Sequence, residues 1–371
     1  MTSLLSAAPE RRAPGDIDLR SDFVSPPSEA MLQAMADAAL APTAFGFREG
    51  DAIRALEGEA ARLLGKEDAL WFPTCSMANL AAILLQTTTG GALVAPHDSH
   101  VATTERAGVE AIARRTLVAP PPAGEGQIDP NGLAELLAAN PAVGVVVLED
   151  THNRSGGVPL PPGRAREIAE VCRARGQRLH LDGARLFNSA VAQGVAPADL
   201  AAPADSVAIS LNKGLGAPNG AVLAGSRMLI EGADTVRQQL GGGMRPLAIL
   251  AAAGVMALRR WPELEADHLL AARLGAELAD LGGCAVDPVR TNIVLARLPL
   301  IGADTVEFVH SLARRGVLAM AFGVGCVRLC VNGGVAGDAV PAVVAAFREA
   351  IEEMGRPPRE AVRLSDGSLA R

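Results

Sequence analysis

The stretch SVAISLNKGLGAPNG, residues 206–220, decides how the rest of the chain is read. Ser206 to Ser210 is a short apolar run of the kind that fills a buried strand. It breaks into a glycine-rich loop that carries Lys213. Of the 34 Lys+Arg residues only Lys66 and Lys213 are lysines. A chain that takes its positive charge from arginine keeps lysine where an amine has a chemical task. Guanidinium does not lose its proton and attack a carbonyl; an ammonium group can. Lys66, in a polar Gly-Lys-Glu-Asp turn, reads as a solvated surface charge. Lys213, placed after an apolar run and among glycines, does not.

Outward from this segment, short apolar runs alternate with helical patterns, which predicts an α/β fold with a mainly parallel sheet covered on both faces. Strands are expected at Ala69–Phe72, Ala92–Ala95, Val143–Leu148, Arg178–Leu181, Ser206–Ser210 and Ala221–Ala224. Helices are expected at Ala52–Leu64, Asn79–Gln86, Arg164–Ala174 and Leu247–Arg259. In the first of these, Ile53, Leu56, Ala60 and Leu64 share one stripe, the core face. After about Glu263 a long helix (Leu264–Leu281) leads into an α+β segment, with strands near Asn292–Ala296, Val317–Ala321 and Val327–Val331. Its helices run near Thr305–Arg314 and Val340–Glu353. The reading is an arm at 1–16, a large domain at 17–262 and a smaller C-terminal domain at 263–371, whose last residues from Arg356 are polar and frayed.

Bulk properties narrow the classes. Hydrophobic residues make up 49% and charged residues 20%, a globular composition. The net charge of -7 offers no basic footprint for nucleic acid. Cys75, Cys172, Cys284, Cys326 and Cys330 show no CxxC spacing, so neither a metal site nor a disulfide framework is indicated. Their odd number suits a reducing compartment. The N-terminal apolar run is too short for a signal peptide, and Pro246–Leu258 is too short to span a bilayer. A cytoplasmic protein is expected.

Polar residues gather after the predicted strands: His97 and His100, the run Glu149-Asp-Thr-His-Asn153, Asp182 with Arg185, and Lys213. In an open α/β sheet the ligand crevice lies at the carboxyl ends of the strands. A carbonyl-bearing pyridine cofactor needs three things there: a lysine amine, a carboxylate for its ring nitrogen and a helix N-terminus for its phosphate. Lys213, Asp182 and the turn Pro73-Thr-Cys-Ser-Met77, with Ser76 as a donor, match them. Each has an ordinary reading alone. Asp182 before glycine reads as a turn residue, Ser76 as an N-cap, His100 as a satisfied buried imidazole and Arg328 as a solvated strand residue. The Gly241–Gly243 run is weak by itself. Together they favour a cofactor site. No GxGxxG follows the early strands, which counts against a dinucleotide enzyme.

The chain resembles the low-specificity L-threonine aldolases of the aspartate aminotransferase-like, fold type I group. The resemblance rests on IDLRSDFVSP, LGKEDALWFPTCSMANLAAI, DSHVATTERAG, LEDTHNRSGG, LHLDGARLFNSAVAQG, SVAISLNKGLGAPNGAVLAG and QLGGGMRPLAILAAAG. It implies pyridoxal 5'-phosphate as cofactor, with Lys213 as its Schiff-base lysine and Asp182 at the pyridinium nitrogen. His100 would stack on the ring and help handle the β-hydroxyl proton. Cys75, Ser76 and Met77 would hold the phosphate. Arg185 would border the cofactor and, with Ser21 and Arg328, grip the substrate carboxylate. Arg245 would reach a phosphate, that of a neighbouring subunit in a homodimer or homotetramer. The implied reaction is retro-aldol cleavage of a β-hydroxy-α-amino acid, L-threonine or L-allo-threonine in type, to glycine and an aldehyde. The alternatives are β-elimination, cleavage of a bulkier β-hydroxy amino acid, and cofactor binding without turnover.

Overall fold

The computed structural model describes residue 13 and residues 15–42, 45–46, 48, 50–88, 90–121 and 123–355, the side chain of residue 303 excepted. Most of the expected arm and the polar tail after residue 355 lie outside the described residues.

Seven strands form the main sheet. Their order is Asp68–Phe72, Ala221–Gly225, Ser206–Ser210, Arg178–Asp182, Val143–Glu149, Ala92–Val94 and Thr116–Val118. Only Ala221–Gly225 runs against its neighbours. Strands buried on both faces read as continuous apolar runs, which is why they stood out in the sequence. Thr116–Val118 did not, because it is a three-residue edge strand whose first residue is exposed. The core-face stripe of helix Asp51–Leu64 is buried as its spacing predicts. The connection from Ser210 back to Ala221 holds Lys213 and is closed by Leu211 N–H donating to the Gly220 carbonyl at 2.9 Å. Gly220 sits at φ +115°, and a Cβ there would lie 2.4 Å from Trp71 Nε1, so only glycine closes this loop.

A second apolar core lies in the C-terminal part, around Leu274, Val294, Phe308, Leu329 and Phe347. Its antiparallel sheet has the order Met320–Ala321, Cys326–Cys330, Ile293–Arg297 and Ala285–Val286. The strand expected over Val317–Ala321 is two. Leu19 wedges in beside it, donating to the Leu318 carbonyl and accepting from Cys330 N–H, both at 2.8 Å. Val317–Leu318 therefore pairs with Ile17–Asp18, and Met320–Ala321 with the four-stranded sheet. Leu19 packs into this second core, although it lies at the start of the segment assigned to the large domain.

Three further expectations are corrected. The helix expected from Asn79 starts at Cys75, and its N-cap is Thr74, whose Oγ1 accepts from Met77 N–H at 3.1 Å; Ser76 is not the cap. Lys66 is not a solvated charge. It is half-buried at the amino-terminal edge of the sheet, where its Nζ donates to the Ala204 carbonyl at 2.6 Å, and burial lowers its pKa. Arg328 is not solvated either: its residue is 5% exposed, because its strand turns that face toward the main sheet.

Candidate active site

The strands Val143–Glu149 and Arg178–Asp182 are parallel and in register, so Glu149 and Asp182 end side by side. Beyond them opens a cavity of about 310 Å³, lined by Ser21, His100, Asp182, Arg185, Lys213 and Arg328 among others. Six residues drawn from along the chain, from Ser21 to Arg328, thus meet at the carboxyl edge of the sheet, the crevice expected for an open α/β fold.

Asp182 lies at its floor. Its Oδ1 accepts from Ala184 N–H at 3.2 Å and lies 4.0 Å from Cys75 Sγ. Burial pushes its carboxyl pKa up to about 6, with the negative charges of Glu105 and Glu149 adding to the rise. Among the described residues no guanidinium or ammonium group hydrogen-bonds to it. His100 opens a short helix. Its N–H donates to Glu149 Oε2 at 2.5 Å and its Nδ1 pairs with Glu105 Oε1 at 2.7 Å. Burial opposes charging of this ring, but Glu105 outweighs it and the His100 pKa stands above its ordinary value.

Arg185 and Arg328 face the cavity from the two cores. Arg185 is held by Asp22 through two bonds, Nε to Oδ2 at 2.7 Å and Nη2 to Oδ1 at 2.8 Å. Its Nη1 donates to Asn153 Oδ1 at 3.1 Å, and Arg328 Nη1 donates to the same oxygen at 2.9 Å. Arg328 also donates from Nη2 to the Arg20 carbonyl at 3.0 Å and lies over the Phe322 ring, while its Nε is buried without a partner. Ser21 Oγ lies 3.4 Å from Asp22 Oδ1.

Behind Asp182 stands the N-terminus of helix Cys75–Gln86. The amides of Cys75 and Ser76 belong to its unpaired first turn. Gly242 packs here: a Cβ on it would lie 2.4 Å from Met77 Sδ, so the glycine run abuts the Thr74–Met77 turn. Arg245 does not line the cavity. It is exposed and lies over Phe45, 5.1 Å from the ring centroid. His97 is outside as well, an exposed side chain whose Nδ1 is 3.7 Å from Asp98.

These residues fit pyridoxal phosphate. A buried carboxylate to which, among the described residues, no guanidinium or ammonium group hydrogen-bonds suits a pyridinium nitrogen, an open helix N-terminus suits a phosphate, and Lys213 faces the same cavity. Asp22 and Glu105 were missed in the sequence. Asp22 follows Ser21 directly but carries no strand-end signal, and Glu105 lies within a polar stretch that resembles a surface turn.

Residues 18–299 match the family described as Beta-eliminating lyase. Low-specificity L-threonine aldolase 1 of Arabidopsis thaliana is 33% identical over 354 residues, covering 92% of this chain and 98% of its own. The low specificity L-threonine aldolase of Escherichia coli K12 is 36% identical over 292 residues, covering 76% of this chain and 84% of its own. Among solved structures, the threonine aldolase of Leishmania major superposes with a TM-score of 0.77 at 20% identity, over 90% of this chain and 99% of that one, which shows a shared fold. The chain belongs to the beta-eliminating lyase family and, within it, to the low-specificity L-threonine aldolases, enzymes that depend on pyridoxal phosphate.

Proposed function

We propose that this protein cleaves the Cα–Cβ bond of a β-hydroxy-α-amino acid of the threonine type, releasing glycine and an aldehyde. The observation that carries the reading is the meeting of Lys213, Asp182 and His100 in one cavity opposite Arg328. Pyridoxal phosphate, when bound, supplies an aldehyde that condenses with amines and a ring that accepts the electron pair released at Cα. Lys213 provides the amine that holds it. Asp182 holds negative charge against its ring nitrogen, and the Cys75–Met77 turn receives its phosphate. Ser21 and Arg328 take the substrate carboxylate, beside an Arg185 already fixed by Asp22. His100 has Nδ1 committed to Glu105, so Nε2 is free to accept the β-hydroxyl proton. The Glu149 carboxylate fixes the His100 backbone beneath it.

Residues 17–262 are read as the body that holds the cofactor and 263–371 as the smaller domain that brings Arg328. Arg245, outside the cavity of its own chain, is assigned to the phosphate of a neighbouring copy in a homodimer or homotetramer. The exposed Phe45 and Met244 beside it support that assignment. Among the described residues no helix is long and apolar enough to cross a membrane. A cytoplasmic location is proposed, and the five unpaired cysteines support it.

A second reading, β-elimination to a keto acid and ammonia, is favoured by the description of the matched family. Product analysis separates the two. The protein loaded with pyridoxal phosphate is expected to form glycine and aldehyde in equal amounts from L-threonine, L-allo-threonine or a bulkier β-hydroxy amino acid, and the Lys213→Ala variant to form neither. Keto acid and ammonia as the main products would replace the first reading by the second. A folded Lys213→Ala protein that still turned over would reject the site.

A further inference from the structure

Glu105 does not itself line the cavity, but it holds the ring of His100, which does, and it stands at the end of a line of buried polar groups. The helix Cys75–Gln86 presents Asn79 and Gln86 two turns apart, toward strands that place His180 beside Ser206 in register. Asn79, His180 and Ser206 are wholly buried. Gln86 Nε2 lies 2.7 Å from Ser206 Oγ, and Ser206 Oγ lies 2.7 Å from His180 Nδ1. His180 Nε2 lies 3.0 Å from Asn79 Oδ1, and Asn79 Nδ2 lies 3.3 Å from both oxygens of Glu105.

The direction of every link follows from the chemistry of its members. An amide nitrogen only donates, so Gln86 gives a proton to the Ser206 oxygen. The single hydroxyl proton of Ser206 then points to His180 Nδ1. Burial lowers the His180 pKa to about 4, so at neutral pH this ring is uncharged and carries one proton. With Nδ1 accepting, that proton is on Nε2 and goes to Asn79 Oδ1. Asn79 is left to donate to Glu105. Reversing any one link would set two donors or two acceptors face to face in a dry interior.

We propose that Glu105 is a positioning residue for His100. The chain from Gln86 holds Glu105 anionic, and Glu105 holds the Nδ1 proton of His100 so that Nε2 is the nitrogen that exchanges a proton in the cavity. Despite burial, the Glu105 pKa is lowered by His100 and, to a lesser degree, by the Ser76 and Asn79 side chains. Four charged groups act on His100: Glu105 of its own segment, Glu149 at its backbone, Asp182 from the sheet edge and Lys213 from the loop beyond. Glu105 and Asp182 favour its proton, and Lys213 opposes it. Among the described residues, Glu105 alone hydrogen-bonds to the ring nitrogen.

The inference rests on reading His100 as the group that takes the hydroxyl proton, and it is tested first without cofactor or substrate. Long-range ¹H–¹⁵N spectra of the labelled, cofactor-free protein follow the His100 ring through pH, assigned with a His100→Asn variant. The wild-type ring is expected to keep its Nδ1–H form when neutral and to titrate above the ordinary histidine value. In Glu105→Gln the His100 pKa should fall by about one unit or more, the size of a lost charged partner, and the Nε2–H form should appear. Glu105→Asp, which keeps the charge, should restore most of the shift. Ser206→Ala, which cuts the chain three links upstream of Glu105, should give a smaller fall of the same sign. In the loaded enzyme the limb of kcat that rises with pH should move to lower pH in Glu105→Gln while KM changes little.

A purely structural Glu105 would lower the melting temperature and leave the titration where it was. A His100 pKa that stays within about 0.3 unit of wild type in Glu105→Gln overturns the proposal. A Ser206→Ala titration identical to wild type removes the chain as its source. Failure of the retro-aldol reading shows up in the product assay and leaves the cofactor-free titration unaffected.

Discussion

Asp182 is a buried carboxylate held by a backbone amide and flanked by a thiol, and burial raises its pKa to about 6. A pyridinium nitrogen set against it would add a positive charge and favour its ionised form. Asp182→Asn keeps the shape and an oxygen for Ala184 N–H but removes the charge. Cofactor binding should then survive while kcat falls by about 10²–10³ and KM changes little, because the lost attraction is strongest once negative charge develops at Cα. Cofactor titration together with steady-state kinetics on the folded variant checks this. If Asp182 only made a turn, stability would drop and kcat per folded molecule would stay at its wild-type level. Asp182 and Lys213 were legible because one ends and the other follows an apolar strand with a group that an ordinary loop does not require. Arg185 was legible as a site residue but not in its detail. Nothing in HLDGAR says that two of its nitrogens are taken by an aspartate 163 positions away.

At the scale of elements, the seven-stranded sheet was readable because its strands are apolar on both faces, and six of the seven were found near their true ends. What escaped was set by neighbours rather than by local sequence. Thr116–Val118 is held by pairing with Ala92–Val94, and Val317–Ala321 is split by Leu19, which lies three hundred residues away. The strand Val143–Glu149 carries a testable consequence just past its end. Asp150 is 1% exposed, and its Oδ1 accepts from Leu160 N–H at 3.0 Å. Burial, with Glu149 next to it, pushes its pKa up to about 7. A carboxyl whose folded pKa is raised binds a proton that the unfolded chain has released, so stability falls as pH rises from about 4 to about 7. Asp150→Asn abolishes that ionisation. Denaturation at pH 8 should show the variant more stable than wild type, by at most about 4 kcal/mol, with little difference at pH 4. An equal effect at both pH values would mean that ionisation of Asp150 does not set the slope.

At the scale of the molecule, two apolar cores meet over the cavity, and charged residues join them. Arg20 and Asp22 follow Leu19 out of the second core; Asp22 takes Arg185 of the main sheet, and the Arg20 carbonyl takes Arg328. Asn292 Nδ2, from the C-terminal part, adds a donor to Asp22 Oδ2 at 3.3 Å. The cavity therefore exists only where both parts are in place, which is why its geometry could not be read from any one motif. Burial works against the charge of Asp22, but Arg185 overcomes it, and the Asp22 pKa is held well below the carboxylate range. The stability from such a depressed pKa is present above the ordinary carboxylate value and is lost as pH falls through the folded one. Asp22→Asn leaves Arg185 buried without its counter-charge. Removing one partner of a buried pair costs about 3–5 kcal/mol, and a loss of that size is expected at pH 7. It should shrink toward pH 3, where the wild-type carboxylate nears protonation in the unfolded chain. Substrate binding should suffer as well, because Arg185 and Arg328 share Asn153 Oδ1 and a displaced Arg185 moves that shared contact. KM for the amino acid is expected to rise more than kcat falls. Urea titrations at both pH values and initial rates at neutral pH measure the two effects. A loss below about 1 kcal/mol at pH 7 would place the pair among surface ion pairs, and the joint between the two cores would have to be carried by Arg328 and Asn292 instead.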